Sequence, residues 1–197
     1  MIPLRARSEG HLWRWRRQWH RVLSLDQALL LSMRRFESTT MTRLMRAFTH
    51  LGDTSSWVAV GLLLGAAGGK GPRYEALLGL GAGLAALVCH FLKRACCRPR
   101  PTAGIDRMGG FAALIEIPDA FSFPSGHTAA AFAIAVALAG EGHGLGPLTL
   151  SLASGIGLSR IYLGAHYPLD VAAGVGLGAL CGLAARLLLG IAFPGLV

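Results

Sequence analysis

Three polar clusters interrupt an otherwise apolar chain, and their residue types suit the handling of a phosphate group. The first, Lys93-Arg94-Ala95-Cys96-Cys97-Arg98-Pro99-Arg100-Pro101, follows an uncharged stretch directly. The second, Pro124-Ser125-Gly126-His127, opens another such stretch, and the third is Ser159-Arg160 followed by His166 and Asp170. Lys93, Arg100 and Arg160 supply fixed positive charge, and the two guanidinium groups match the fork geometry of phosphate oxygens. Ser125 and Gly126 begin a helix, whose free N–H groups form an anion site that glycine leaves open to close approach. His166 and Asp170 are four residues apart, one helical turn, so the carboxylate is placed to accept from one ring nitrogen and leave the other free to attack. His127 comes from a different helix and suits protonation of a leaving oxygen. The cations and the helix N-terminus would then carry the charge of a phosphoryl-transfer transition state without a metal or cofactor.

The elements that must position these residues read as membrane helices. The chain has 197 residues, of which 53% are hydrophobic and only 15% charged, well below the quarter or so expected of a soluble domain. Uncharged stretches lie between Asp53 and Lys70, over Ala76–Leu92, over Thr128–Gly140 with a start near Ser125, over Gly142–Ser159, and from Asp170 to the end with Arg186 alone. They predict an all-α polytopic membrane bundle of about five transmembrane helices, each near the roughly 20 residues a crossing needs. The spacings Gly79/Gly83 and Gly174/Gly178/Gly182 predict close helix packing on those faces. Five crossings bring the end of the second span, the start of the third, the end of the fourth and the start of the fifth to one face. All three clusters therefore converge.

Residues 1–54 form a basic amphipathic segment ahead of a catalytic membrane domain at 55–197. Two helices broken at Glu37-Ser38-Thr39-Thr40 fit this segment, lying in the interface or packed as a cap on the bundle. Its ten arginines, interleaved with Trp13, Trp15 and Trp19, suit an anionic bilayer surface better than nucleic acid, which is not an expected partner. Five basic residues between 93 and 126 and Arg160 share its face, against Lys70, Arg73 and Arg186 opposite, so the positive-inside rule favours a cytoplasmic site. Cys89, Cys96, Cys97 and Cys181 have no metal-binding spacing. His11, His20, His50, His90 and His143 read as structural. Arg94, Arg98 and Arg107 read as headgroup contacts or loop residues, and Asp106, Glu116 and Asp119 as a solvated loop.

The set Lys93-x6-Arg100-Pro101, Pro124-Ser125-Gly126-His127 and Ser159-Arg160-x5-His166-x3-Asp170 resembles the type 2 phosphatidic acid phosphatase superfamily, with all three blocks complete and in order over 93–170. The resemblance implies a bacterial inner-membrane lipid phosphatase with a phosphohistidine on His166, oriented by Asp170, and leaving-group protonation by His127. It implies phosphate contacts from Lys93, Arg100, Ser125, Gly126 and Arg160. Expected substrates are phosphatidic acid, phosphatidylglycerophosphate or a polyprenyl mono- or diphosphate. Members commonly carry six spans and some have periplasmic sites, against the five spans and cytoplasmic face read here. Two rivals stand beside this reading. A non-catalytic binder of anionic lipid would use the same cations but has no need of a nucleophile and its orienter. Vanadate-dependent haloperoxidases resemble the phosphate site but are soluble.

Overall fold

The computed structural model describes residues 23–102, 111–117, 119–141 and 145–192. His11, His20, His143, Asp106 and Arg107, and the membrane-surface reading of residues 1–22, lie outside that range. The described residues form a helical bundle, with one isolated bridge between Pro99 and Phe121 as the sole β pairing among them. A helix over residues 23–33 (α1) leads through a 3-10 turn at Arg34–Phe36 into α2 (Thr39–Leu51). Five helices follow: α3 (Thr54–Ala66), α4 (Gly71–Cys96), α5 (Gly126–Leu138), α6 (Leu145–Tyr162) and α7 (Pro168–Ala192).

Local chemistry sets the boundaries near the polar clusters. Ser38 is extended and its hydroxyl accepts from Met41 N at 3.2 Å, satisfying a donor that the first turn of α2 cannot pair internally. Proline in the first turn of α4 costs no hydrogen bond there, and Cys97 ends that helix in the left-handed region at φ 45°, its N–H returning to Lys93 O. The prolines at 99 and 101 prevent the helix from resuming. Lys93 is thus in the last turn of α4 and Arg100 in the extended segment beyond it.

α5 is the axis of the bundle, packed against α4, α6 and α7. Its alanines at 129, 131, 133, 135 and 137 are all buried, so it has no lipid- or water-facing stripe of the usual width. The Gly174/Gly178/Gly182 ridge of α7 packs against it at backbone distance. A Cβ on Gly178 would fall 2.4 Å from Ala129 O, and one on Gly182 2.4 Å from Ala133 O. The Gly79/Gly83 expectation is corrected: a Cβ at either position would meet nothing within 4 Å. Gly81, on another side of α4, makes the close approach to Ala133 O instead, and Gly79 and Gly83 widen a groove described below.

By length and composition, α4 and α7 are long and apolar enough to cross a membrane. At 26 and 25 residues they measure about 39 and 37 Å at 1.5 Å per residue, against a hydrocarbon core of roughly 30 Å. α3 and α5, with 13 residues each, reach only about 20 Å and are shorter than the expected spans. Leu63, Phe91, Leu148, Leu180 and Ile191 are exposed on the outside of the bundle, an apolar belt suited to lipid. The end away from the polar clusters is closed by Arg73, which grips Glu141 through Nε and Nη2 at 2.6 and 2.7 Å, with Arg186 against Gly140.

α1 and α2 pack on the other end. Leu30 is buried against Phe111 and Tyr167, and Phe48 fills the space over Gly155 of α6. The Tyr162 hydroxyl accepts from Ser38 N and pairs with Thr42.

Candidate active site

Gly164, at φ 75°, turns the chain sharply after α6, in a conformation open to glycine at little cost. Ala165 N and His166 N then both donate to Arg160 O, and Pro168 starts α7. This fold-back puts His166 beside Asp170 with both fully buried. Asp170 sits in the first turn of α7, where the helix dipole favours a carboxylate, and its Oδ2 accepts from Tyr167 N at 2.9 Å. The His166 Nδ1 to Asp170 Oδ2 separation is 3.6 Å, an ion-pair distance slightly beyond hydrogen-bond reach, and Nδ1 has no hydrogen-bond partner. Nε2 lies 3.1 Å from Arg100 Nη1, so the nitrogen that faces the cations is the one available as acceptor. Burial pushes His166 down to about 4, with Asp170 opposing and the Arg100 and Arg160 charges adding to the shift. At neutral pH the imidazole is uncharged and keeps a lone pair, as a nucleophile requires.

The expected cations gather around this imidazole. Arg100, 5% exposed, donates from Nη1 to Ala165 O at 2.7 Å and from Nε to Asp119 O at 2.8 Å. Arg160 is equally buried and donates from Nη1 to Thr49 Oγ1 at 2.6 Å, while its Nε is buried with no hydrogen-bond partner. A buried guanidinium N–H without an acceptor is costly and marks a position suited to an anion. Ser125 N donates to Asp170 O, tying the start of α5 to the first turn of α7, and its hydroxyl pairs with Thr128. The Ser125 side chain does not cap α5, which leaves the first-turn amides at Gly126 and His127 without that partner. Lys93 completes the group and contacts Asp119 Oδ2.

His127 faces the same region from the start of α5, within reach of the Arg160 and Lys93 charges. Its Nε2 is 3.0 Å from Asp53 Oδ1, in the turn between α2 and α3. Asp53 Oδ2 is also 3.0 Å from His50 Nδ1. Burial of Asp53 works against ionisation, but the His50 and His127 hydrogen bonds outweigh it and hold its carboxyl below the usual range.

Two sequence-based readings are corrected here. Arg98 lies in the segment after α4 but is neither a headgroup contact nor solvated: Nη1 donates to Asp170 Oδ1 at 2.7 Å, Nη2 contacts Asp26 Oδ2, and the guanidinium lies 4.2 Å over the Tyr167 ring. Asp119 is not simply solvated: it lies on Lys93 and 3.6 Å from Arg100 Nη2, and that positive charge holds its carboxyl low despite partial burial. Asp26, Thr49 and Asp53 went unrecognised as neighbours of the site. Only Asp26 carried a signal, being a carboxylate inside an apolar run.

Two cavities meet at His127. One, about 610 Å³, is walled by Trp57, Val58, Gly61 and Leu62 of α3 and by Leu78, Gly79, Gly83 and Ala86 of α4. It reaches from Glu75 to Lys93, Asp119, Gly126 and His127. The other, about 770 Å³, is lined by Arg46, Thr49, His50, Asp53, Glu116 and Arg160 as well as His127. Apolar walls on one side and charged groups on the other meet at His127, and Arg160, which lines the charged cavity, links it to the buried His166–Asp170 pair, an arrangement that fits a phosphatase for an amphipathic phosphoester.

Comparison with known proteins agrees. Residues 74–192 match the PAP2 superfamily. The decaprenylphosphoryl-5-phosphoribose phosphatase of Mycobacterium tuberculosis is 36% identical over 138 residues, 70% of this chain and 74% of that protein. The bacitracin transport permease protein BcrC of Bacillus licheniformis is 49% identical over 70 residues, 36% of this chain and 34% of its own. Among solved structures, a transmembrane PAP2 type phosphatidylglycerolphosphate phosphatase from Bacillus subtilis superposes with a TM-score of 0.72 at 26% identity, covering 85% of each chain. Aquifex aeolicus LpxE gives 0.68 at 28% identity, covering 80% of this chain and 92% of its own. The chain belongs to the PAP2 superfamily and is a membrane lipid phosphatase.

Proposed function

We propose that the chain hydrolyses a polyprenyl phosphate or diphosphate through a phosphohistidine on His166. The carrying observation is the single cavity that joins the Lys93 end of the site to an apolar groove between α3 and α4. Glu75 and Lys93 are 18 residues apart on α4, about 27 Å at 1.5 Å per residue, so the groove exceeds one leaflet of a roughly 30 Å core. A long single chain fills such a groove better than a pair of acyl chains. The similar Mycobacterium tuberculosis protein is a decaprenylphosphoryl-5-phosphoribose phosphatase, whose substrate carries its phosphate on a polyprenyl-linked sugar, and this supports a long single-chain lipid.

In this reading the phosphate replaces Asp119 on Lys93 and Arg100, takes the open Nε of Arg160, and meets the amides at Gly126 and His127. Arg100 Nη1 turns its N–H from His166 Nε2 to a phosphate oxygen, and the freed Nε2 attacks phosphorus. The bond to the leaving oxygen breaks, His127 supplies its proton, and Asp170 balances the imidazolium that forms. Water deprotonated by His127 then attacks the phosphohistidine, releasing phosphate and the free His166. Arg98 and Asp26 keep Asp170 in place.

The test is phosphate release by purified protein in detergent with excess EDTA, from a polyprenyl phosphate, a polyprenyl diphosphate and a diacyl phosphate, beside His166→Ala. Release from the polyprenyl substrates alone, lost in the variant, is expected. Equal release by the variant refutes the nucleophile, and preference for the diacyl phosphate refutes the substrate class.

For location we infer the bacterial inner membrane, with the site on the cytoplasmic face, because the basic residues gather at the catalytic end. Cys96 and Cys97 are exposed at that end whereas Cys89 and Cys181 are buried. An impermeant thiol reagent should label them only after cells are opened. Labelling in intact cells would reverse the orientation.

A further inference from the structure

We propose that Asp53 is the positioning residue of the leaving-group acid, a second aspartate–histidine pair that serves His127 as Asp170 serves His166. The inference rests on the role given to His127 above and adds a residue that lies outside the stretch matched to the family, 74–192.

The contact is a hydrogen bond of 3.0 Å between Asp53 Oδ1 and His127 Nε2. With Nε2 engaged, Nδ1 is the nitrogen that carries the transferable proton. When the phosphorus–oxygen bond breaks, that proton passes from Nδ1 to the lipid oxygen, while the Nε2–H stays on the ring and goes on donating to Asp53 Oδ1. The charged groups facing His127 are Lys93 from α4, Arg160 from α6 and Asp53 from the α2–α3 turn. Both cations oppose an imidazolium. Burial of the ring, the largest influence, works against it too, so Asp53, the one carboxylate in hydrogen-bond contact with the ring among the described residues, is what offsets them when the ring carries the proton it is to donate.

The carboxylate is itself fixed. His50 Nδ1 holds Oδ2 at 3.0 Å, Asp53 N donates to His50 O at 3.1 Å, and Trp57 N donates to Asp53 O at 3.2 Å. The turn is pressed against its target, since a Cβ on Gly52 would lie 3.2 Å from His127 Cδ2 and 2.8 Å from Ile156 Cγ2. The Asp53 carboxylate and His127 also line the polar cavity together, where a proton or a water can reach them.

Leaving-group chemistry provides the test. A lipid alkoxide departs poorly unless protonated, whereas the phenoxide of p-nitrophenyl phosphate needs no proton. For the full-length protein in detergent, Asp53→Asn should lower kcat on the lipid phosphate by roughly 10- to 100-fold, a large part of what general acid catalysis contributes. KM should stay within about twofold, and the burst of p-nitrophenol from p-nitrophenyl phosphate, which reads the first half-reaction alone and not the water attack that His127 also serves, should slow less than about threefold on the same principle. The alkaline limb of kcat on the lipid should move to lower pH, and Asp53→Glu should restore part of the rate. Equal losses on both esters, or no loss, would overturn the proposal if His127→Ala discriminates between them. If His127→Ala does not discriminate, the acid role of His127 fails and Asp53 falls with it.

Discussion

Replacing Arg98 by alanine should damage the protein more than any other change in the segment after α4. Its guanidinium separates two carboxylates, Asp26 and Asp170, whose side chains have no solvent exposure, while Arg98 itself is only 16% exposed. Each charge-assisted hydrogen bond contributes about 1.5–3 kcal/mol, and the stacking on Tyr167 about 0.5–1 kcal/mol more. Part of this is recovered, because Leu169 N still donates to Asp26 and Tyr167 N to Asp170. Breaking a buried ion pair from one side typically costs about 3–5 kcal/mol, which we take as the net loss. For a chain of this size that lowers the unfolding midpoint by about 6–20 °C. The assay is thermal unfolding in detergent of wild type, Arg98→Ala, Asp26→Asn and the double variant. Removing the Asp26 charge relieves one of the two stranded carboxylates, so the pair should show a coupling of about 1–3 kcal/mol. Additivity within about 0.5 kcal/mol would refute the contact between α1 and the Asp170 network.

Other consequences can be read with the same preparation. Leucine at Gly79 or Gly83 meets open space, so stability should hold within about 0.5 kcal/mol, while KM rises for a long polyprenyl phosphate and not for a short-chain one. Equal effects on both would put the lipid chain elsewhere. His166 lies at about 4 in the folded protein against roughly 6.5 unfolded, so the unfolded chain binds more protons between those values. Stability present above pH 6.5 should therefore be lost as pH falls toward 4, and less so in His166→Asn; a parallel decline in both would locate the sensitivity at another group. Asp119→Asn should tighten inhibition by inorganic phosphate by about two- to fivefold, the worth of a partly exposed ion pair, with the gain shrinking in high salt. Weaker inhibition would mean that Asp119 orients Lys93 rather than competing for it.

The residues legible in the sequence are those whose partners are set by local geometry. His166 and Asp170 are one helical turn apart, Ser125-Gly126 opens a helix, and Lys93 and Arg160 fall in last turns, so convergence follows once the spans are counted. Ser38 is legible for the same reason, as a hydroxyl ahead of a periodic run. Asp26, Thr49 and Asp53 act across 72, 111 and 74 residues of chain, on Arg98, Arg160 and His127. No spacing rule reaches that far, and each has an ordinary local reading as an interruption, a helical threonine or a helix cap. The glycine pairs make the same point. Gly79/Gly83 and Gly174/Gly178 share one spacing, yet one pair meets nothing and the other meets the backbone of α5. Spacing states where a surface is smooth; the neighbour decides whether it becomes a contact or a groove.

Charge shows why the basic N-terminal segment cannot be separated from the chemistry. The cations of the site are Lys93, Arg98, Arg100 and Arg160, and the carboxylates around them are Asp26, Asp53, Asp119 and Asp170, two from each side of residue 55. These carboxylates fall into two kinds. Asp170 and Asp53 engage an imidazole, Asp26 engages the arginine that holds Asp170, and all three can remain there throughout a turnover. Asp119 engages Lys93, which lines the apolar cavity, and in the proposed mechanism a phosphate takes its position. Arg160 alone among the four cations rests on a hydroxyl, with a buried N–H to spare. A phosphate therefore exchanges one carboxylate for its own oxygens and satisfies a donor that nothing else in the described protein satisfies. That exchange offsets much of the repulsion a dianion would meet in a site crowded with aspartates.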